Sequence, residues 1–336
     1  MFLNTNIIDN VRLVKHFDKN CQYGFDEKIV VCFSPSENYV KYMIITLISL
    51  LLNNCKIFFS INIFVDSIKD RDLNNLNKII NEYDNVDIKV HTIDEKVFGN
   101  IYISKQYTVA GYFRILLPKI LNEEDYILYL DSDILCLNKI DEIFDLKLTL
   151  GNNIVGVVDD VGILKGDRAE FLPNVLPEEY FNSGFLLINV KEWNENNITE
   201  KVLETLEQFG DKFHFPDQDA LNVVLNKKVF YMEDKWNFVY LMGDCNEKET
   251  IFYHFIGAPK PWHSWFNDKK MYKLYLKYEA FSQYKIALVE KPQDNYRQAR
   301  QYMWFLFRKG RIITGLFWLY RYKSLKKKCA NQIINI

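Results

Sequence analysis

Apolar runs separated by short polar links divide the first hundred residues into an alternating series. Residues 28–33 form a continuous apolar run of strand length, followed by Ser34-Pro35-Ser36-Glu37-Asn38, which is loop chemistry. The apolar spacing over residues 39–52 predicts a buried helix, and the alternating, β-branched and aromatic run at 56–65 predicts a strand. In 70–83, Leu73, Leu76, Ile79 and Ile80 share one helical face, with Asp70 as the expected N-cap. Residues 86–92 make a third strand. Strands and helices alternating through short links predict an α/β fold, with a mixed, mainly parallel, Rossmann-like sheet flanked by helices.

Beyond residue 100 the pattern changes pace. Residues 107–117 read as helical and hold Arg114 among Tyr112, Phe113, Ile115 and Leu116. An arginine in such company is a candidate anion or sugar contact, although a lone arginine on a helix is more often a surface charge. Strands are expected at 126–130 and at 154–158, the latter ending at Asp159 and Asp160. Residues 161–180 have no strong periodicity and contain Pro173 and Pro177; a connection of that length is more often functional than not. Phe181-Asn182-Ser183-Gly184 leads into a buried strand ending at Asn189. Helices follow at 198–209 and 217–225, then a packed turn at Trp236-Asn237-Phe238 and a strand at 250–255 carrying His254. The acids Asp217 and Asp219 have a purely structural account, since acids at a helix start oppose its dipole favourably.

Composition narrows the class. The chain has 336 residues, 49% hydrophobic and 15% aromatic, enough for a sizeable core. Its net charge of -2 gives no overall pull toward nucleic acid. The charge is uneven, however. Residues 295–336 carry ten Lys and Arg and no acid, which leaves 32 basic against 44 acidic residues elsewhere, a net -12. The six cysteines are scattered, with no Cys-x-x-Cys pair, and read as reduced thiols of a cytoplasmic protein. The N-terminus lacks the pattern of a signal peptide, and the longest apolar run, residues 43–52, is too short to span a bilayer.

The densest chemistry lies at Asp131-Ser132-Asp133, directly after the apolar run of residues 126–130. Acids at i and i+2 in extended chain face the same way and repel. A divalent cation with a preference for hard oxygen ligands, Mn2+ or Mg2+, relieves that repulsion. The blander reading is a solvated turn in which Asp131 caps the next segment. The position favours a ligand, because open α/β sheets bind at strand ends. Downstream, His254 is followed by Gly257 and Lys260, a pair suited to a phosphate, although a single histidine in an apolar strand is commonly a satisfied core group.

Four segments together resemble the family-8 glycosyltransferases, the group containing bacterial lipooligosaccharide galactosyltransferases and glycogenin. They are Tyr129-Leu130-Asp131-Ser132-Asp133, Phe181-Asn182-Ser183-Gly184, Asp217-Gln218-Asp219-Ala220-Leu221-Asn222, and His254-Phe255-Ile256-Gly257-Ala258-Pro259-Lys260-Pro261-Trp262. The resemblance covers roughly residues 28–270, with 1–27 as an N-terminal extension and 271–336 as a helical, basic, aromatic-rich C-terminal segment. It implies a GT-A fold, a UDP-hexose donor (UDP-galactose or UDP-glucose) and Mn2+ or Mg2+ held by Asp131, Asp133 and His254. Ser36, Asn38 and Tyr39 would contact the nucleotide, with Ser36 standing where close relatives carry an acid. Asp131 and Ser132 would also meet the donor, and Gly257 and Lys260 would hold its diphosphate. Arg114, Asp159, Asn182, Asp217 and Gln218 match positions lining the donor sugar, and Arg114, Asn182, Asp217 and Gln218 would serve catalysis. The expected reaction is retaining transfer to a saccharide acceptor of a cell-surface glycan such as lipopolysaccharide. Double displacement would need a carboxylate nucleophile beside the anomeric carbon, where the matching site offers Gln218 with Asp217 and Asp219 beside it, whereas a front-side mechanism needs none.

Other classes stay in view. A glycoprotein acceptor is open. A sugar nucleotidyltransferase would want a Gly-rich basic loop after the first strand, and Ser34 to Asn38 has neither Gly nor Arg. A non-catalytic sugar-binding protein would not need the intact acids. In residues 297–328, Trp304, Phe305, Phe307, Trp318 and Tyr320 alternate with Arg and Lys clusters. That mixture suits an interfacial helix on anionic lipid, placing the protein at the cytoplasmic face of a membrane and fitting a lipid-linked acceptor. A basic helical subdomain or a protein-docking surface fits equally, and no nucleic-acid recognition motif is present.

Overall fold

The computed structural model describes residues 7–19, 25, 27–99, 101–103, 108–161, 172–282, 284–292 and 295–334, with side chains up to 328. Residues 162–171 of the long connection, Tyr107, Cys21 and the Cys329 side chain lie outside the described residues. The chain forms two compact units, Met1–His254 and Phe255–Ile336.

Eleven strands are described: β1 Val11–Phe17, β2 Lys28–Phe33, β3 Phe58–Val65, β4 Val86–Ile93, β5 Tyr126–Leu130, β6 Ile134–Cys136, β7 Val155–Asp159, β8 Phe181–Asn189, β9 Val229–Tyr231, β10 Phe238–Val239 and β11 Phe252–His254. Eight form one sheet in the order β1-β4-β3-β2-β5-β8-β7-β9, and β10-β11-β6 form a second. β3 is parallel to both β2 and β4, and β2 is parallel to β5. β8 runs antiparallel to both β5 and β7. The sheet is therefore mixed and mostly parallel, with helices on it, as the alternation of elements predicts. β3 and β8 are buried at every position, their polar residues Ser60, Asn62, Asn182 and Ser183 included, as expected for central strands covered on both faces. The helix Val40–Asn53 is buried along nearly its whole length.

Several elements differ from the sequence expectation. The helix Asp70–Glu82 has the extended Lys69 at its N-cap, with no side-chain capping bond; Asp70 is instead its first helical residue, an acid in the first turn beside Asp72. Within 107–117, Val109–Ile115 is a 3-10 turn and a short α-helix, Leu117–Ile120, follows it. Pro118 accounts for the break, since it cannot donate to a continuing helix but suits the first turn of a new one. The strand at 56–65 starts at Phe58, and the one at 250–255 is confined to Phe252–His254. Inside the N-terminal 27 residues, Val11–Phe17 adds an antiparallel edge strand against β4. Its five central residues are exposed, so no apolar period marked it.

In the second unit, the helix Tyr296–Arg308 buries Ala299, Tyr302, Met303 and Leu306, a helical stripe packed with Trp318 of the helix Ile312–Ile334. Gly315 lets the two helices close up, because a Cβ there would lie 2.4 Å from the Phe307 ring. No helix among the described residues is long and apolar enough to cross a membrane.

Candidate functional site

β5 is the middle of the sheet, and its apolar run stops at Leu130 because the chain there leaves the core. Asp131 still donates its backbone N–H to Gly184 O at 2.8 Å, so its position is fixed by the neighbouring strand β8. Ser132 is held through its carbonyl, which accepts from Thr46 Oγ1 at 3.1 Å. The chain then enters β6, which pairs antiparallel with β11 so that His254 lies opposite Ile134. That register brings an imidazole 121 positions away to the acids: His254 Nε2 stands 3.1 Å from Asp133 Oδ1 and 3.9 Å from Asp131 Oδ2. Ligand atoms of Asp131, Asp133 and His254 all lie within 4.8 Å of one another.

The surroundings of this triad suit a cation. His254 Nδ1 contacts Asn237 Oδ1 at 3.0 Å. An amide oxygen only accepts, so the proton sits on Nδ1 and the Nε2 lone pair faces the two carboxylates. A neutral ring held in that tautomer and two carboxylates form a set of three ligand atoms that a metal completes. Room for two of these side chains is kept by a glycine: a Cβ at Gly184 would lie 2.3 Å from His254 Cε1 and 2.7 Å from Asp131 Oδ2. Two carboxylates and one imidazole are a donor set that fits a divalent cation.

Arg114 is not a surface charge. It is 7% exposed, and its guanidinium spans two acids, with Nη2 3.1 Å from Asp131 Oδ1 and Nε 3.3 Å from Asp217 Oδ2. Nη1 donates to Ser183 O at 2.7 Å. The group also stacks over the Tyr129 ring at 4.7 Å. Burial works against its charge, but Asp131, Tyr129 and Asp217 outweigh that and raise its pKa. Tyr129 OH, itself 2.9 Å from Ser34 Oγ, donates to Asp131 Oδ1 at 2.8 Å. One oxygen of Asp131 is thus taken up by Arg114 and Tyr129, and the other turns toward His254.

On the β8 side, Gln218 is fully engaged. Its Oε1 accepts from Ser183 N at 2.9 Å and Ser183 Oγ at 3.1 Å. Its Nε2 donates to Asp160 Oδ2 at 3.1 Å and Tyr180 OH at 3.0 Å. Asp219 accepts from Tyr180 OH and from the backbone N–H groups of His214 and Phe215, so it ties down the chain ahead of its own helix. Burial raises the pKa of Asp217, opposed by Arg114. Asn182 accepts from Gly184 N and donates to Asp160. Asp159 ends β7; burial and Asp234 raise its pKa, and its Oδ1 is buried with no hydrogen-bond partner among the described residues.

Ser36 precedes a 3-10 turn, Glu37–Tyr39, and its carbonyl accepts from Tyr39 N at 2.8 Å. Asn38 Oδ1 accepts from Lys69 Nζ at 3.3 Å. Partial burial, with Asp133 adding to it, pushes the Tyr39 hydroxyl up to about 12. Gly257 and Lys260 belong to the second unit, where Gly257 has φ +63° and Lys260 Nζ donates to Phe255 O. Sequence reasoning gave no role to Tyr129, read as strand and as the start of a matched segment, or to Asn237, read only as part of a turn. Their signal was a polar group in an apolar run.

Solved structures that share this fold include sugar-transferring enzymes. The chain matches the galactosyltransferase LgtC, solved in complex with donor and acceptor sugar analogs, at a TM-score of 0.66 and 21% identity, over 76% of this chain and 97% of that one. GlyE of Streptococcus pneumoniae matches at a TM-score of 0.58 and 21% identity, over 76% of this chain and 60% of that one. Among sequences, a lipopolysaccharide 1,3-galactosyltransferase of Salmonella typhimurium is 29% identical over 73% of this chain and 76% of its own length. A lipopolysaccharide 1,2-glucosyltransferase of Escherichia coli is 28% identical over 89% and 92%. Residues 30–266 match the family description "Glycosyl transferase family 8". The protein is a glycosyltransferase with a GT-A fold. It belongs to glycosyltransferase family 8.

Proposed function

We propose that the protein transfers a hexose, galactose or glucose, from a UDP-sugar to a saccharide acceptor of a cell-surface glycan, with retention and with a divalent cation. The observation that carries this reading is the convergence of Asp131, Asp133 and His254 in one site of a family-8 fold. Relatives named as lipopolysaccharide galactosyl- and glucosyltransferases support the hexose and the class of acceptor.

When bound, Mn2+ or Mg2+ supplies positive charge against the departing UDP, a term worth several kcal/mol. The chain's residues do the rest. Arg114 keeps Asp131 and Asp217 at fixed spacing. Asn182, Asp159, Asp217 and Gln218 line the donor sugar, and Ser36, Asn38, Tyr39 and Ser132 hold the nucleotide. The roles of Gly257 and Lys260 on the diphosphate rest on their motif, and Lys260→Ala raising KM for the donor tests them. A front-side mechanism is favoured. Gln218 Oε1 is held by Ser183 and Asp219 accepts three hydrogen bonds, which leaves neither free as a nucleophile.

The C-terminal unit supports a peripheral membrane contact. Ile312, Ile313, Leu316, Phe317 and Tyr320 occupy one face of their helix, opposite the face packed on Tyr296–Arg308, and each is more than half exposed. Arg308, Lys309 and Arg311 precede this stripe, and Lys323, Lys326, Lys327 and Lys328 follow it. An apolar stripe bracketed by cations matches an anionic lipid surface at a cytoplasmic face.

Hydrolysis of a panel of UDP-sugars with Mn2+ and with EDTA tests the central reading. The expected result is Mn2+-dependent release of UDP from UDP-galactose or UDP-glucose. Equal release in EDTA overturns the metal role, and turnover of a non-uridine donor alone overturns the donor.

A further inference from the structure

The imidazole of the triad is oriented by a chain of hydrogen bonds whose direction is set at its far end. The Gly184 backbone N–H can only donate, and it meets Asn182 Oδ1 at 3.0 Å. That fixes which end of the Asn182 amide faces inward. Asn237 then has to present its Nδ2 to the same oxygen, at 2.9 Å. With Nδ2 committed, Oδ1 of Asn237 is left facing His254 Nδ1 at 3.0 Å. Each link follows from donor and acceptor capacity alone.

We propose that Asn237 is a positioning residue for His254. It holds the ring as the Nδ1–H tautomer, with the Nε2 lone pair aimed at the space shared by Asp131 and Asp133. This deepens the reading of the triad as a metal site and rests on it. Three features make the link more than a packing contact. Asn237 is fully buried, between Trp236 and β10, so no water competes for its amide. It follows Asp234–Trp236, and the backbone there is tied to the triad's own sheet, since Ile251 N donates to Lys235 O at 2.8 Å and β10 pairs with β11. The far end of the chain lies on β8 at Gly184, the residue that also leaves room for the His254 ring. The same strand therefore supplies both the space for the imidazole and the donor that sets its tautomer. Asn182, matched to the donor sugar by its motif, has Oδ1 occupied by Gly184 and Asn237, and its Nδ2 donates to Asp160.

The test is a Mn2+ titration of the full chain, without donor, read by the free-ion electron paramagnetic resonance signal. Two variants of similar volume separate the roles. Asn237→Leu removes the acceptor and leaves Nδ1–H unpaired, whereas Asn237→Asp keeps an acceptor at Nδ1. Thermal melting in EDTA gives the stability of each separately. The expected result is a loss of Mn2+ affinity of about 10- to 100-fold in Asn237→Leu, the range seen when an outer partner of a metal-bound histidine is removed. In Asn237→Asp, affinity stays within a few-fold of wild type even where melting in EDTA falls. Wild-type affinity in a folded Asn237→Leu overturns the proposal. So does a ten-fold loss in Asn237→Asp, which alone decides the matter if Asn237→Leu does not fold. If wild type itself binds no Mn2+, the reading of the triad fails first, which keeps the two failures distinct.

Discussion

Gly184→Ala adds one methyl group where the triad has no room for it. The new Cβ would lie 2.3 Å from His254 Cε1, 3.0 Å from its Nδ1 and 2.7 Å from Asp131 Oδ2. Ordinary carbon contacts are about 3.5–4.0 Å, so the ring must retreat by roughly 1 Å. Metal ligands tolerate displacements of only about 0.2 Å. The backbone cannot yield, because Gly184 O accepts from Asp131 N and Gly184 N donates to Asn182. Overpacking of this kind costs about 1–3 kcal/mol of stability. Mn2+ affinity is expected to fall about 100-fold or more, and turnover with it. Gly156→Ala serves as the control. Its Cβ would lie 2.8 Å from Met232 Sδ, the end of a flexible side chain, so it should cost stability without touching the metal. Titration of both variants with Mn2+, alongside melting in EDTA, reads the two effects apart. A folded Gly184→Ala that binds Mn2+ and turns over like wild type would refute the geometry on which the site rests.

Further outcomes follow from the same contacts. Arg114→Met leaves Asp131 and Asp217 facing each other with their shared cation gone; removal of one partner of a buried ion pair costs about 3–5 kcal/mol, so urea unfolding should show a large drop and no activity should survive, whereas wild-type stability would mean the pairs are unimportant. His91 has its pKa lowered to about 4, chiefly by burial, from the ordinary imidazole value of 6.5. The unfolded chain therefore takes up the proton first, so stability is full above pH 6.5 and declines as pH falls toward 4. His91→Gln should flatten that decline in urea midpoints by about 1–2 kcal/mol, once solvent screening is allowed for; an unchanged slope would contradict the assignment. Phe317→Asp or Ile313→Asp should abolish co-sedimentation with vesicles containing anionic phospholipid while leaving UDP-sugar hydrolysis intact. Undiminished sedimentation of both variants would rule out the exposed stripe as the lipid contact.

The parts of the molecule that could be read from sequence are those where local pattern and tertiary environment agree. The buried strands β2 and β5 are almost wholly apolar, β3 is rich in aromatic and β-branched residues, and the helix Ile198–Phe209 has its apolar face in period, so all four were legible. β1 was not, because an exposed edge strand has no apolar period to show. The two aspartates were legible as a pair because one side of the chain brings them together. That His254 reaches them depends on the β6–β11 register, a contact made across the fold, and only the resemblance pointed to it. Arg114 was flagged by its apolar company, but which acids it spans is a property of β5, β8 and the helix Pro216–Leu225 meeting in space. Asn237 was hidden for the opposite reason. A buried amide between two aromatics looks like packing until its four hydrogen-bonding positions are assigned.

The most direct test of the central claim is diffraction from crystals grown with UDP and Mn2+, recorded at the manganese absorption edge. The account predicts one anomalous peak roughly 2 Å from carboxylate oxygens of Asp131 and Asp133 and from His254 Nε2, contacting the diphosphate. The same peak should vanish in Asp133→Asn crystals. Manganese bound elsewhere on the chain, or UDP seated with no metal at those three side chains, would contradict it.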